Sequence, residues 1–401
     1  MQVIKENKLL FIWWAVAFAT AFYAFGKKNG FHNNIEQPDK VKFFSFPENA
    51  KTKVDSLFFN KNKSEFNGVV LIGQKDSIFY SKAFGYADFK KRDSLTLHSD
   101  FQLASVSKQF TAVAIMQLHS KGLLNYTDSI QKFFPKFPYK GVTIQQLLTH
   151  RSGLPNYTYF YQYIPTTYDT IISNTNLVNE MITKHPQAYY PPNRRYQYSN
   201  TGYALLAAIV EKISGMSFSN YLKKNIFDKL NMTETFTYKD IISGKQKCNT
   251  TGYLYRHRKA EPNYLDGVLG DKGVYSSTID LFKWDQGLYK NIIIKFDTLQ
   301  RAFLPMGKPL HFKSNYGYGW RMYYLQDSTK ILFHAGWWHG YKTLLIRIQK
   351  DSSTVIILKN RSKGVSIHTK DILKILYPSG FVKDTTINNA ITQKSNFIDK
   401  L

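Results

Sequence analysis

Three short clusters carry reactive groups in an arrangement suited to acyl transfer. Ser105 and Lys108 stand three residues apart in Ser105-Val106-Ser107-Lys108, and on a helix that spacing puts both side chains on one face. A serine hydroxyl attacks a carbonyl only when a neighbour takes its proton, and a lysine can take it only if burial or nearby positive charge weakens its hold on its own proton. Ser105 is thus a candidate nucleophile beside a candidate base. By itself the pattern is weak, because a capped helix with a surface lysine produces it too. Lys108, however, is followed by Gln109-Phe110-Thr111 and a strongly apolar stretch, which turns its face toward the interior.

The second cluster is Tyr198-Ser199-Asn200, just after the turn-prone Pro191-Pro192-Asn193. A phenol held near a lysine can relay a proton to a leaving group, and an Asn amide can donate to a substrate carbonyl and orient the lysine. Asn200 is equally readable as a helix N-cap. The third cluster is His334-Ala335-Gly336, followed by Trp337. Gly336 permits close backbone approach to a ligand, and the Trp337 amide can join that of Ser105 as an oxyanion hole, with His334 donating to Tyr198. A lone histidine at a strand end is as readily a structural one.

The elements that must hold these groups can be read from periodicity and turn chemistry. Ser105 to Leu124 has a helical period, with Val106, Phe110, Val113, Ala114, Met116 and Leu118 on one broad side. Tyr203 to Ser214 reads as a second helix ending at Gly215, and Ser277 with Asp280 resembles a capping box. Gly68 to Ile72 and Ser77 to Tyr80 form a hairpin around Gln74-Lys75-Asp76. Ile331 to Phe333, Thr343 to Ile348 and Thr354 to Leu358 are strands, and Ser366 to Tyr377 is a last helix. Short turns between neighbouring strands imply antiparallel pairing. The expected fold is therefore α/β of the α+β kind: an antiparallel sheet built from both chain ends, flanked by terminal helices, with the helical middle inserted as a second lobe.

The order of the three clusters, on helix, loop and strand, resembles the serine β-lactamase and penicillin-binding protein superfamily, especially its class C-like β-lactamase, D-Ala-D-Ala carboxypeptidase and esterase branch. Members present S-x-x-K, then Y-x-N, then K-T-G or H-x-G, matched here by Ser105/Lys108, Tyr198/Asn200 and His334/Gly336. The resemblance runs from about residue 55 to 378 and includes Leu147-Leu148-Thr149-His150-Arg151-Ser152-Gly153-Leu154, Gly270-Asp271-Lys272-Gly273-Val274-Tyr275-Ser276-Ser277 and Tyr316-Gly317-Tyr318-Gly319-Trp320. It implies a β-lactamase/transpeptidase-like fold and Ser105 as nucleophile. Lys108 and Tyr198 become proton-transfer partners, either of which can be the base. Asn200 becomes a substrate contact, joined by Gly336 and Trp337, and His334 the third-motif residue. His150 reads as scaffold. A small-molecule or peptide substrate is implied, with no metal or organic cofactor. Ala335 stands where many members carry a threonine or serine hydroxyl that helps bind a substrate carboxylate, which shifts the expectation from antibiotic hydrolysis toward a peptidase or esterase.

Composition bounds the rest. The chain has 401 residues, 43% hydrophobic and 16% aromatic, so a large core is available. Its formal net charge of +26 reads as a lysine-rich bias and not as nucleic-acid binding, because no zinc-finger spacing, RNP signature or long basic block gathers the cations. Cys248 is the one cysteine, so an intramolecular disulfide and a cysteine-rich metal site are excluded. Leu9 to Phe25 is an apolar run of about 17 residues, suited to a signal peptide or a membrane anchor within residues 1–26. Residues 27–50 read as a tether, 51–380 as the hydrolase domain and 381–401 as a polar tail. These features place the protein at the cell envelope, periplasmic or otherwise outside the cytoplasm. Neither His-Glu-x-x-His nor a Gly-x-Ser-x-Gly elbow occurs, against a metallo-hydrolase and an α/β-hydrolase. The remaining rival is a penicillin-binding receptor without turnover, or a structural envelope protein.

Overall fold

The computed structural model describes residues 46–59, 66–161, 171–307, 314–362 and 369–381. The expected signal or anchor, the tether as far as residue 45 and the tail beyond residue 381 lie outside the described residues. The last residues of the expected tether already belong to the folded body: Phe46 and Ala50 are buried, and helix α1 (Ala50–Phe59) follows directly.

A seven-stranded antiparallel sheet forms the frame. Its strands are β1 (Gly68–Gln74), β2 (Ser77–Phe84), β3 (Ser314–Tyr316), β4 (Arg321–Tyr324), β5 (Lys330–Trp338), β6 (Tyr341–Ile348) and β7 (Ser353–Lys359), in the order β2-β1-β7-β6-β5-β4-β3. The first hairpin pairs with the last strand, Gly68 opposite Lys359 and Gln74 opposite Ser353, so both chain ends build one sheet. Lys75 and Asp76 both have positive φ, the type I′ conformation that matches strand twist in a two-residue hairpin. His339-Gly340 makes the same kind of turn between β5 and β6.

Val69 and Leu71 enter one core cluster while Val70 and Ile72 enter the other, as the two-residue period of a strand requires. Because both faces are covered, β1 and β7 are apolar along their length instead of alternating. One face is closed by α1 and the last helix, α5 (Thr369–Leu376), through Val54, Phe58, Ile372 and Leu376. The other carries the inserted lobe, whose main helices are α2 (Lys108–Ser120), α3 (Asn200–Ser214) and α4 (Thr278–Gly287). Every residue of α2 from Lys108 to Leu118 is buried, which explains its all-round apolar character. Gly215 closes α3 in the left-handed conformation.

Two details differ from expectation. The lobe also holds a small three-stranded sheet of Phe101–Gln102, Phe236–Thr237 and Val274–Ser276, which its short runs did not announce. Ser277 caps α4 by accepting from the Asp280 amide, but the Asp280 carboxylate accepts instead from the Glu234 amide and the Thr235 hydroxyl. The length of aspartate is not the reason, since Asp240 closes such a box on the Thr237 amide at 2.8 Å; the Asp280 carboxylate is engaged by the 234–235 segment instead.

Candidate active site

The chain reaches Ser105 under tight control. The Leu103 amide donates to Val274 O at 2.8 Å, and Leu103 O accepts from the Thr343 hydroxyl at 2.7 Å. The small sheet and β6 thereby hold the entrance to a 3₁₀ turn, Ala104–Ser107, that runs straight into α2. Ala104 takes a φ of 48°, a left-handed conformation that disfavours a side chain and that packing must enforce. Ser105 itself is half-buried.

Lys108, with no exposed surface, directs its ammonium to three acceptors: Ser105 Oγ at 3.0 Å, Asn200 Oδ1 at 2.9 Å and Asp271 O at 2.8 Å. The Tyr198 hydroxyl donates to the same Ser105 Oγ at 3.0 Å. Four of the expected residues, from the start of α2 and the start of α3, therefore meet at one oxygen or one hydrogen bond from it. Ser199 takes the N-cap position of α3, and Asn200 follows it. Burial pulls Lys108 from its ordinary value of 10.5 down to about 7, with the nearby Arg321 guanidinium lowering it further and Asp271 opposing both. Burial pushes the Tyr198 phenol up to about 12, against the pull of Arg321 and the Ser105 hydrogen bond.

The third cluster is placed differently from expectation. His334 does not donate to Tyr198: the two rings lie 6.4 Å apart, Nδ1 lies 2.7 Å from Ala335 O, and Nε2 lies 3.1 Å from the Tyr316 hydroxyl. A carbonyl can only accept, so Nδ1 carries the proton and Nε2 accepts from Tyr316. Burial together with Arg321 and Lys108 drives the His334 pKa well below its ordinary value, which keeps the ring neutral. Gly336 packs closely against the protein backbone: a Cβ there would come within 2.2 Å of Leu103 O and 2.4 Å of Thr343 Oγ1. Its lack of a side chain lets β5 lie against the turn that carries Ser105. Trp337, next along β5, is half exposed.

His150 is buried beneath the site, its Nδ1 accepting from the Ser199 amide at 3.2 Å and its ring 4.2 Å from that of Tyr198. Arg321, Tyr316, Asp271 and Tyr157 were not singled out as site residues in the sequence. The Arg321 guanidinium lies 5.4 Å from the centre of the Tyr198 ring. Only the pairing of β4 with β3 and β5, opposite Tyr316 and Phe333, carries it there. Its position directly after Trp320 in the Tyr316–Trp320 stretch was the one available signal.

An antiparallel sheet with an inserted helical lobe, closing over a serine–lysine–tyrosine cluster, defines the fold of the β-lactamases and penicillin-binding proteins. The Beta-lactamase family model matches residues 54–377, and the chain belongs to that family of serine hydrolases. It is 37% identical to penicillin-binding protein 4* of Bacillus subtilis (strain 168) over 341 residues, 82% of this chain and 75% of that protein. It is 26% identical to the putative penicillin-binding protein PbpX of the same organism, over 91% of this chain and 93% of the relative. Among solved structures, a penicillin binding protein from Bacillus halodurans superposes with a TM-score of 0.69 at 22% identity, covering 83% of this chain and 99% of the other. The D-amino acid amidase from Ochrobactrum anthropi SV3 gives 0.68 at 20%, covering 82% and 99%.

Proposed function

We propose that this protein hydrolyses an amide or ester through an acyl-enzyme on Ser105, and that its substrate is a D-alanyl peptide or ester of the cell envelope. One observation carries the mechanism. Asn200 Oδ1 and Asp271 O can only accept, so they take two hydrogens of Lys108 Nζ, and the third position points at Ser105 Oγ. In the ammonium that position is a hydrogen; in the neutral amine it is the lone pair. With a pKa near 7, Lys108 supplies the amine at neutral pH, whereas Tyr198 at about 12 stays protonated. Lys108 is the base and Tyr198 the donor.

Attack by Ser105 on the substrate carbonyl passes the hydroxyl proton to Lys108. As the tetrahedral intermediate collapses, the Tyr198 hydroxyl delivers a proton to the departing amine or alkoxide and is resupplied from Lys108. Backbone amides of Ser105 and Trp337 stabilise the oxyanion. Water then enters by the reverse transfers and frees the acid. His334 is a positioning residue whose partner is Tyr316.

Specificity for a substrate bearing a carboxylate is supported by Arg321. Its guanidinium beside Tyr198 supplies a permanent positive charge where Ala335 supplies no hydroxyl. The envelope setting is supported by the penicillin-binding relatives and by the apolar run at Leu9 to Phe25.

The test uses the full chain and its Ser105→Ala variant with a D-Ala-D-Ala peptide, a chromogenic D-alanyl ester and a fluorescent penicillin. Turnover of peptide or ester that disappears with Ser105→Ala is the expected result. Stoichiometric penicillin labelling without turnover would identify a receptor instead, and turnover unchanged in Ser105→Ala would remove Ser105 from the mechanism.

A further inference from the structure

Asp271 is held in an unusual state for a carboxylate. It is 1% exposed, its Oδ2 accepts from the Tyr157 hydroxyl at 3.0 Å, and its Oδ1 is buried with no hydrogen-bond partner among the described residues. Leaving one oxygen of a buried carboxylate without a donor is costly. The segment is nevertheless built to put it there. Gly270 has a φ of 101°, and a Cβ on it would meet Tyr203 O at 2.5 Å, while Gly273 has a φ of 90°. Tyr157 is fixed in turn by α3, its amide donating to the Thr201 hydroxyl at 2.8 Å. The same residue that offers this carboxylate also gives its carbonyl to Lys108 Nζ.

We propose that Asp271 is a positioning residue for acyl transfer: its carboxylate, anchored by Tyr157, sets how tightly Lys108 holds its proton. The assignment rests on Lys108 acting as the base. Several groups face Lys108 from the elements packed around it. His150 and His334 are kept neutral by burial, and Tyr198 and Tyr203 by raised phenol pKa values. Arg321 from β4 pushes the lysine proton off. Lys272, buried beside Asp271 and donating to Leu265 O and Val268 O, sits in the same carboxylate's field. Asp271 is the counterweight that opposes desolvation and Arg321. Without it Lys108 would surrender its proton too readily and become a weaker base.

Two substitutions move Lys108 in opposite directions. Asp271→Asn removes the negative charge and weakens the hold on the proton. Tyr157→Phe removes the phenol dipole that partly offsets that charge, and strengthens the hold. In the full chain with isotope-labelled lysine, the Lys108 titration midpoint is followed by NMR, and kcat/KM by hydrolysis over the same pH range. Asp271→Asn is expected to lower the midpoint and the rising limb of kcat/KM by about one pH unit, and Tyr157→Phe to raise both by less. A Lys108 midpoint unmoved in both variants overturns the role of Asp271. A midpoint that moves while the limb of kcat/KM stays in place overturns Lys108 as base instead. If Asp271→Asn does not fold, Tyr157→Phe decides alone, and an unmoved or lowered midpoint overturns the proposal.

Discussion

Ser105 Oγ has two polar neighbours at the same distance, and their proton affinities separate their roles. Lys108 is lowered to about 7 and Tyr198 raised to about 12 by the same burial, because desolvation disfavours the charged form of each and the charged forms lie on opposite sides of neutrality. The sign of the pH dependence follows. Below about pH 7 Lys108 is an ammonium without a lone pair, so kcat/KM should rise as pH increases through that value and level off above it. A rate that falls over that interval would contradict this assignment. Lys108→Arg, which cannot deprotonate, is expected to lose a factor of about 10²–10⁴ in acylation, measured as single-turnover labelling by a penicillin or an ester. Tyr316→Phe leaves the buried Nε2 of His334 without its donor, a loss of about 1–3 kcal/mol readable in chemical denaturation.

At the scale of elements, the site depends on how closely β5 can approach the Ala104–Ser107 turn. The Cα of Gly336 is where strand and turn touch, and a methyl group there would collide with Leu103 O. Gly336→Ala should displace Ser105 from Lys108 and Tyr198 and lower kcat by about a hundredfold, since a misplacement near 1 Å costs about that much. Gly122→Ala is the matching control. Its φ of 71° makes the change mildly strained, but nothing among the described residues lies within 4 Å of the added Cβ, so stability should fall slightly while kcat holds. Steady-state kinetics beside thermal unfolding of the two variants separates these effects.

For the molecule as a whole, the lobe and the sheet are joined by a buried ion pair, Asp285 on α4 with Arg347 on β6, 3.0 Å apart and without exposed surface. Burial raises Asp285 to about 6 in spite of Arg347. The folded state thus holds this proton more tightly than the unfolded one, whose carboxyl titrates near 3.8. The contribution of Asp285 to stability is complete below about 3.8 and is lost as pH rises through about 6. Above that pH the carboxylate depends on its partner. Asp285→Leu alone strands the Arg347 charge and should cost about 3–5 kcal/mol, whereas Asp285→Leu with Arg347→Met should recover most of that loss. Denaturant midpoints of the two single variants and the double variant measure the coupling.

Local chemistry determined much of this protein before any fold was known. The strand runs at Gly68 and Ser77, the helical period after Ser105, the glycine ending α3 and the order of the three clusters are properties of neighbouring residues, and neighbouring residues reveal them. So is the meeting of Ser105 with Lys108, one turn apart. The tertiary structure alone decided what lies across gaps in the chain. It gave His334 to Tyr316, used Gly336 for contact with Leu103, brought Arg321 to Tyr198 and set Asp271 behind Lys108. Strand pairing and buried electrostatics act between residues that are distant in sequence, and no spacing rule encodes them. The proton affinity of Lys108 belongs to this second group, because desolvation arises from everything packed around a charge and not from its neighbours in the chain.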